Sequence, residues 1–471
     1  MSMTIEQQPA FKGMPAGTDW IFTVSSTNVS GNYKFKFIVD IQIGLGVHSG
    51  LTNTIRLKFS PNAIGVGIIN VSDILSDYVD FDLLAFENAT YKSKFKGAAA
   101  SANNRIPIHL IDAVSLVSNA NNNINFDFGE EYSTTATGAP TIYPNEVSSD
   151  GWQMYNAVSY NNEQTFSSGN YGINPADWNN KNYVLDGTTG TALTNAPILS
   201  QYIGDNEYAT LAHLNGWTGA AVCQAERVQI KMYDISNTLL STQVYAYVTG
   251  NGAYNGTGDT AFTGSRKNLQ YIGVGPANIK GNTSLSIPTN WNYYTVSFIN
   301  ASGTDKSKTY KYIRRDEDCK GFEKIRLAWI NKFGVYDYYT FTKKSINNTK
   351  IARNIYSSVK GNWGGTTFSK DGADRGRGVL TTKAYKSINI NTDWIYTDEE
   401  AAWLEELFIS PAVFILGDYD SADTGDVDYG NYMTPVVIKN TDYQQYTRVN
   451  DKVAQYNIEI EYSIDTKVQK A

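Results

Sequence analysis

Residues 319–342 read CKGFEKIRLAWINKFGVYDYYTFT and contain two runs that favour β-strands. In the first run Ile325, Leu327 and Trp329 alternate with other residues, the period-two pattern of a half-buried strand. Residues 331–334 (NKFG) supply the polar residue and glycine that suit a turn, and the tyrosine-rich second run alternates again. The stretch predicts a β-hairpin and carries no His, paired carboxylates or nucleophile beside a base. It therefore favours a structural or binding protein over an enzyme.

Composition supports a mainly β protein. A chain of 471 residues predicts about three domains. With 41% hydrophobic and 18% charged residues it can bury real cores, and its 33 Tyr and 39 Gly favour strands and turns. The predicted fold class is a set of β-sandwich domains with one or two short helices and long irregular connections. A net charge of −7 argues against specific binding of nucleic acid.

The pattern of short strands and polar turns divides the chain into six segments. We predict an N-terminal arm over 1–18, a β-sandwich over 19–132, an extended connection with short strands over 133–220, a central β-sandwich over 221–345, a basic glycine-rich connection over 346–386 and a C-terminal β-domain with a helix over 387–471. The arm is polar, and such a segment is either loose or lies on a neighbour. The first long connection is expected to be held by its aromatic residues to its own domain or to another subunit.

Two segments predict helices. Residues 71–78 have apolar residues at helical spacing, with Ser72 as an N-cap candidate. Residues 397–408 (TDEEAAWLEELF) give the clearest helix, with Thr397 as its cap and Glu400 completing a capping box. The predicted apolar face of this second helix is Trp403, Leu404, Leu407 and Phe408.

Residues that usually carry metal or redox chemistry are sparse. The three histidines, His48, His109 and His213, are far apart and lack the spacing of a zinc site. The two cysteines, Cys223 and Cys319, are interpreted as buried free thiols, although a disulfide between them is open if the chain meets an oxidising space. We expect no cofactor.

Two groups of carboxylates are candidate sites. Five aspartates lie within eleven residues and offer hard oxygen ligands for calcium: Asp418, Asp420, Asp423, Asp426 and Asp428. Their spacing does not match an EF-hand loop, so a solvated loop between strands is the preferred interpretation. Glu130 and Glu131 resemble half of a glycosidase carboxylate pair, but nothing in the sequence marks the other half.

Aromatic and basic residues are the candidates for interfaces. Arg375 and Arg377 alternate with glycines in a basic stretch, which favours docking on an acidic neighbour over contact with a phosphate backbone. Tyr336, Tyr338 and Tyr339 follow the turn of the opening hairpin, and we expect a neighbour there if one face stays uncovered. Tyr and Trp suit both subunit interfaces and sugar-stacking platforms, and the sequence leaves both uses open.

Several segments together resemble structural proteins of tailed bacteriophages, especially marine phages and phages of Bacteroidetes hosts, including crAss-like phages. The segments are residues 69–79 (INVSDILSDYV), 128–133 (FGEEYS), 193–197 (LTNAP), 319–341 and 394–416. The C-terminal section, with a helix before a strand, is also similar to distal-tail or tail-hub adaptors.

This resemblance implies a non-enzymatic virion protein, assembled in the host bacterial cytoplasm. The expected role is a β-rich subunit of a homo-oligomeric neck, tail or baseplate ring that joins other virion components. Neither a signal-peptide pattern nor an apolar run of about 18 residues is present in the sequence, so no membrane partner is expected. Two alternatives remain open: a receptor- or glycan-binding tail protein, and a tail-associated glycan hydrolase.

Overall fold

The fold is mainly β, as the composition predicts, with several antiparallel sheets and three short to medium α-helices in the described part of the chain. The computed structural model describes residues 2–9, 13–44, 53–79, 122–149, 152–155, 194–214, 227–246, 269–280, 286–299, 302–305, 307–315, 321–374, 376–417, 433–440, 442 and 455–463.

The strands and helices follow one another along the chain with these bounds. The strands are β1 (Met3–Gln7), β2 (Gly13–Pro15), β3 (Ile21–Ser26), β4 (Tyr33–Gly44), β5 (Asn53–Phe59), β6 (Val66–Asn70), β7 (Asn122–Ser133), β8 (Thr141–Ser148), β9 (Trp152–Tyr155), β10 (Gln201–Ile203), β11 (Thr210–Leu214), β12 (Arg227–Tyr233), β13 (Leu239–Ala246), β14 (Leu269–Gly273), β15 (Tyr293–Ile299), β16 (Tyr310–Arg314), β17 (Ile325–Ile330), β18 (Tyr336–Phe341), β19 (Ile346–Ser357), β20 (Arg377–Asn391), β21 (Val413–Leu416), β22 (Met433–Ile438) and β23 (Asn457–Tyr462). The α-helices are α1 (Ser72–Ser76), α2 (Pro276–Lys280) and α3 (Asp398–Ile409).

The chain divides into two compact units. The first contains Met1–Glu317, Trp329–Tyr338 and Asp418–Tyr429, and the second contains Asp318–Ala328, Tyr339–Gly417 and Gly430–Ala471. The strands form five sheets, with the orders β1-β3-β6, β2-β9-β7-β4-β5 with β8 beside β7, β10-β16-β15-β12-β13, β11-β14, and β18-β17-β21-β22-β23-β20-β19.

The N-terminal part of the first unit is a β-sandwich. Phe22 on β3 packs against Phe126 and Phe128 on β7, with ring centroids 4.4 and 5.3 Å apart, so strands of two different sheets share one core. All three rings are fully buried, as is Trp20. Burying an aromatic ring of this size stabilises the folded state by roughly 1.5–3 kcal/mol. The alternation in the sequence thus places one face of each strand in this core.

The five-stranded sheet of the first unit buries one face in the same way. On β12 the buried and half-buried residues alternate along all seven positions. On β15 Tyr294 is buried and stacks on Tyr312 of β16, with centroids 5.1 Å apart. The Tyr294 hydroxyl donates a 3.0 Å hydrogen bond to the carbonyl of Val274, which satisfies its polar end inside the core.

The turn predicted at residues 331–334 is confirmed. Asn331 is its centre, because its side-chain oxygen accepts hydrogen bonds from the backbone N–H groups of Phe333 and Val335 at 3.0 and 3.2 Å. Gly334 has a φ of 76°, a left-handed conformation in which a side chain would be strained. The same turn closes β17 onto β18, so local turn chemistry fixes this hairpin.

The C-terminal helix is also confirmed. The Thr397 hydroxyl accepts a 3.1 Å hydrogen bond from the Glu400 backbone N–H, which is the predicted N-cap contact. Of the predicted apolar face, Trp403, Leu404 and Leu407 are buried, whereas Phe408 is half-buried. The cap prediction for the first helix is wrong: Val71 stands at the N-cap of α1, without a side-chain cap bond.

Two expected segments differ in the structure. Residues 3–7 form strand β1, which pairs with β3 and buries Met3, where a polar arm was expected. Residues 346–386, for which the sequence predicts a basic connection, contain β19 and most of β20. Both are decided by pairing between strands, β1 with β3 and β19 with β20, which composition does not record. Short strands do occur in 133–220, as expected, at β8, β9, β10 and β11.

Candidate interaction surface

A long β-hairpin in the second unit extends beyond the rest of its sheet. β19 and β20 pair over their whole length, from Ile346 opposite Asn389 to Ser357 opposite Arg377. On its other side β20 pairs with β23 only over residues 387–391. In the described part of the chain, residues 349–357 and 377–386 thus pair only with each other. We call these two segments the ribbon, and nine residues of strand make it about 30 Å long.

The β19 strand of the ribbon is exposed along its whole length, whereas β20 has half-buried positions and a buried Ala384. Every residue of β19 is exposed, including the apolar Ile351 and Ile355, whose exposed fractions are 48% and 57%. Large apolar side chains normally leave water when a strand folds, so these exposed residues make the ribbon a candidate surface for contact with another molecule.

Strand alternation sorts the ribbon residues onto two faces, because directly opposed residues of paired strands share a face. The face we call the Ile face carries Thr349, Ile351, Arg353, Ile355 and Ser357 with their partners Lys386, Ala384, Thr382, Val379 and Arg377. The opposite face, which we call the Lys face, carries Lys350, Ala352, Asn354 and Tyr356 with Tyr385, Lys383, Thr381 and Gly378. Each face thus joins apolar or aromatic side chains to cations.

The tip that joins the two strands presents aromatic rings to solvent. Trp363 is 73% exposed and meets Phe368 edge to face, with centroids 5.5 Å apart. The Trp363 indole N–H donates a 3.0 Å hydrogen bond to the Lys360 carbonyl, which fixes the ring's orientation. A shallow depression of about 490 Å³ beside the ring is lined by Val359, Gly361, Asn362 and Trp363. An oriented, exposed indole beside a depression is able to stack on a flat ligand.

The hairpin and the remainder of the chain carry opposite net charges. Residues 346–391 carry eight Lys or Arg and two Asp, a net charge of +6. The whole chain carries −7, which leaves −13 on the remainder. The hairpin is therefore a cationic element on an anionic protein.

The structure places the predicted interface residues in two locations. Arg377 begins β20 and is exposed at the end of the ribbon, whereas Arg375 lies outside the described residues. Tyr336 is buried, and Tyr338 shares a 2.6 Å hydrogen bond with the Thr210 hydroxyl. These contacts engage both tyrosines within the chain, and an interface at them stays a prediction.

Tyr339 is engaged inside the second unit. Its ring packs against Trp403 with centroids 5.9 Å apart, and its hydroxyl accepts a 3.1 Å hydrogen bond from the backbone N–H of Asp393. The ring is half-buried. The exposed apolar surface nearest in sequence is therefore the ribbon, which follows β18 along the chain.

The two carboxylates weighed for glycoside hydrolysis face different surroundings, because neighbours on a strand point to opposite faces. Glu130 is 1% exposed and accepts hydrogen bonds from the Ser26 hydroxyl, from the Asn28 amide at 2.9 Å and from the Ser2 hydroxyl at 3.2 Å. Glu131 pairs with Lys58 at 2.8 Å. Both carboxylates thus hold neighbouring elements of the sandwich in place.

Other predicted sites fall where the structure gives no description. The calcium candidates Asp418, Asp420, Asp423, Asp426 and Asp428 lie outside the described residues, as do Cys223 and Cys319. Among the residues that are described, no three His, Cys, Asp or Glu side chains come together as a metal site would require. Within the same residues, no helix is both long and apolar enough to span a membrane.

The ribbon itself was missed in the sequence. A local signal existed, because Asn362 with its neighbouring glycines suits a hairpin tip. The high charge and glycine content of the segment outweighed that signal. Since most β19 residues are polar and exposed, the pattern lacked the buried face that identifies a strand.

Comparison with known proteins finds distant structural neighbours and no matching family. No family model matches the chain, and no curated protein sequence matches it. Two structures of α2-macroglobulin from Escherichia coli are distant structural neighbours. The trypsin-activated protein has a TM-score of 0.17 at 6% identity, covering 85% of this chain and 20% of that chain. The native conformation has a TM-score of 0.17 at 7% identity, covering 83% and 22%. This chain thus spans about a fifth of those proteins, and such scores carry no argument about function.

Proposed function

We propose that this protein is a structural subunit of a tailed-phage virion. In this role it is a β-rich component of a homo-oligomeric ring in the neck, tail or baseplate, and it joins other virion proteins. It acts without catalysis or a cofactor, and the ring assembles in the host cytoplasm. The segments that resemble phage structural proteins support the class of protein, and the β-sandwich fold agrees with it.

The observation that carries this proposal is the exposed ribbon. A two-stranded hairpin on its own is at best marginally stable in water, so a ribbon of this length gains order when something covers it. Its exposed isoleucines and tip aromatics resemble the apolar and aromatic content of protein interfaces. An element that projects exposed contacts away from its sheet suits assembly better than it suits an isolated monomer.

A ring needs two different surfaces on each copy, because head-to-tail contacts close only when one surface fits another. The opposite charges of the hairpin and the remainder of the chain supply such a pair. The test is native mass spectrometry and negative-stain electron microscopy of the purified full chain across a concentration series. We expect a closed ring of fixed copy number. A chain that stays monomeric at every concentration, and that is missing from purified virions, would overturn the proposal.

The exposed indole at the tip favours a second candidate, a glycan-binding tail protein. Trp363 is oriented by its bond to Lys360, and aromatic faces of this kind stack on sugar rings. A glycan array followed by calorimetry tests this candidate, with Trp363→Ala as the variant and Trp394→Ala, at another exposed tryptophan, as the control. Binding that is lost in the first variant and kept in the second supports it. The absence of any glycan ligand for the wild-type chain counts against it.

A further inference from the structure

The Ile face combines exposed apolar side chains with exposed cations, and this combination selects the kind of partner. Ile351 and Ile355 are exposed and lie on the same side of the ribbon, with Arg353 between them. Lys386, opposite Thr349, and Arg377, opposite Ser357, add two more exposed cations to the same face. A row of apolar groups interrupted by cations fits a surface that offers both apolar contacts and carboxylates.

We infer that the Ile face of the ribbon binds the acidic surface of a second copy of this chain, in a contact that joins two different surfaces of identical subunits. This inference rests on the proposed self-assembly and adds the face and the mode of contact.

Charge complementarity identifies the occupant. The remainder of every copy carries −13 against +6 on the hairpin, so the protein itself is an acidic partner present at equal concentration. Two ribbons facing each other would bring like charges together, which costs free energy. The contact is therefore ribbon to body. Such heterologous contacts close into rings or continue into filaments.

The same features argue against a nucleic acid as the occupant. Phosphate backbones are bound mainly by Lys and Arg together with small polar side chains and backbone N–H groups. On the Ile face Arg353, Arg377 and Lys386 are the cations within the ribbon, and bulky isoleucines separate Arg353 from its neighbours on the strand. An apolar surface of this kind gains little against phosphates and gains more when it covers another protein.

The decisive experiment compares two charge reversals on the same ribbon. Arg353→Glu with Lys386→Glu alters the Ile face, and Lys350→Glu with Lys383→Glu alters the Lys face by the same net charge. All four side chains are exposed, so both variants are expected to fold, which circular dichroism verifies. We expect the Ile-face variant to weaken self-association at least about tenfold in analytical ultracentrifugation, a change of about 1.4 kcal/mol. The Lys-face variant is expected to weaken it less than about threefold, roughly half of that free energy.

Ionic strength gives a second readout. Raising the salt from about 0.1 M to about 1 M shortens the screening length from about 10 Å to about 3 Å, so a contact steered by opposite charges weakens. We expect the wild-type assembly to dissociate partly over this range. Unchanged or stronger association in high salt would overturn the electrostatic part of the inference.

A deletion tests whether the contact is ribbon to body. Asn348 and Ser387 lie directly opposite each other, so an Asn-Gly turn between them replaces residues 349–386 without moving the sheet. This chain lacks the ribbon but keeps the acidic surface. Alone it is expected to stay monomeric, whereas mixed with wild-type protein it is expected to form complexes that end at the deleted copy. Failure to bind the wild-type chain would overturn the ribbon-to-body contact.

The outcomes separate the inference from the proposed function. If the wild-type chain forms a ring and the Ile-face variant forms it equally well, the inference is wrong and the ring subunit stands. If the Ile-face variant assembles normally but loses binding to a short DNA duplex or to anionic vesicles, the face serves another polyanion and the inference is also wrong. A wild-type chain that never self-associates contradicts both.

Discussion

The ring of Tyr356 lies directly over Gly378 on the neighbouring strand of the ribbon. A Cβ atom added at position 378 would meet atoms of that ring at 2.7 Å, closer than van der Waals contact allows. The two residues are directly opposed in the β19–β20 register. The aromatic ring therefore covers a glycine that would otherwise leave the end of the ribbon without cross-strand packing, a device that protects strand glycines.

Replacing Gly378 with alanine is expected to displace the Tyr356 ring and loosen the end of the ribbon. Cross-strand pairs contribute on the order of 0.2–1 kcal/mol, so the local stability of the ribbon should fall by that amount while the melting temperature changes little. Hydrogen exchange of residues 349–357 measures the effect. Gly372→Ala is the control, since a Cβ there meets nothing within 4 Å. Equal exchange in both variants would show that the ring's position is not constrained by the glycine.

Replacing Thr397 with alanine removes the side-chain acceptor for the Glu400 N–H at the start of α3. Loss of such a cap destabilises a helix by about 1 kcal/mol. We expect a lower urea midpoint for the variant in equilibrium unfolding. Thr397→Ser keeps the hydroxyl and should retain most of the stability, so equal losses in the two variants would contradict the capping role.

Replacing Arg315 with methionine is expected to be strongly destabilising. Arg315 donates to Glu207 through both terminal nitrogens, and both side chains are buried. Removing the cation leaves a buried carboxylate uncompensated, which costs about 3–5 kcal/mol. Thermal unfolding measures the loss. The added change Glu207→Gln should recover part of it, because the amide oxygen still accepts from the Gly204 N–H, a bond of 2.9 Å in the wild type.

An exposed ion pair provides the comparison for that experiment. Lys439 and Glu461 lie 3.2 Å apart with substantial exposure of both side chains. Lys439→Met is expected to change the stability by less than about 1 kcal/mol, since water already solvates the partner. A loss as large as that of the Arg315 variant would show that burial is not the cause.

Stability should fall in alkaline solution partly because of Tyr310. Complete burial raises the pKa of the Tyr310 hydroxyl above its ordinary value of 10.0, and the nearby Asp337 carboxylate raises it further. The unfolded chain ionises near pH 10 while the folded chain stays neutral, so this contribution is intact below pH 10 and declines as the pH rises towards the folded-state pKa. Ionisation of this one group in the unfolded chain lowers the free energy of unfolding by about 1.4 kcal/mol at about pH 11.

The Tyr310→Phe variant isolates this contribution. We expect its urea midpoint to decline less than that of the wild type between pH 9 and pH 11, because phenylalanine does not ionise. Tyr202→Phe is the control, as the Tyr202 side chain is largely exposed. Parallel pH profiles for the Tyr310 variant and the wild type would contradict the effect of burial.

The features that the sequence predicted depend on neighbours a few residues apart. The turn at Asn331 depends on hydrogen bonds spanning two to four residues, and the cap at Thr397 spans three. Alternation along β12 likewise requires only that one face of a strand be buried. Because these relations are local, the amino-acid sequence alone predicts the mainly β class and the C-terminal helix.

Tertiary structure alone decided the long-range relations. Glu207 and Arg315 are 108 residues apart, and no local pattern indicates that they meet. The ribbon escaped prediction for a related reason: β19 buries no residue, so pairing with β20 defines it while hydrophobic periodicity does not. Sequence therefore determined which segments bury a face, because that preference is local. Which strands pair, and which paired strands project into solvent, depends on the tertiary fold of the whole chain.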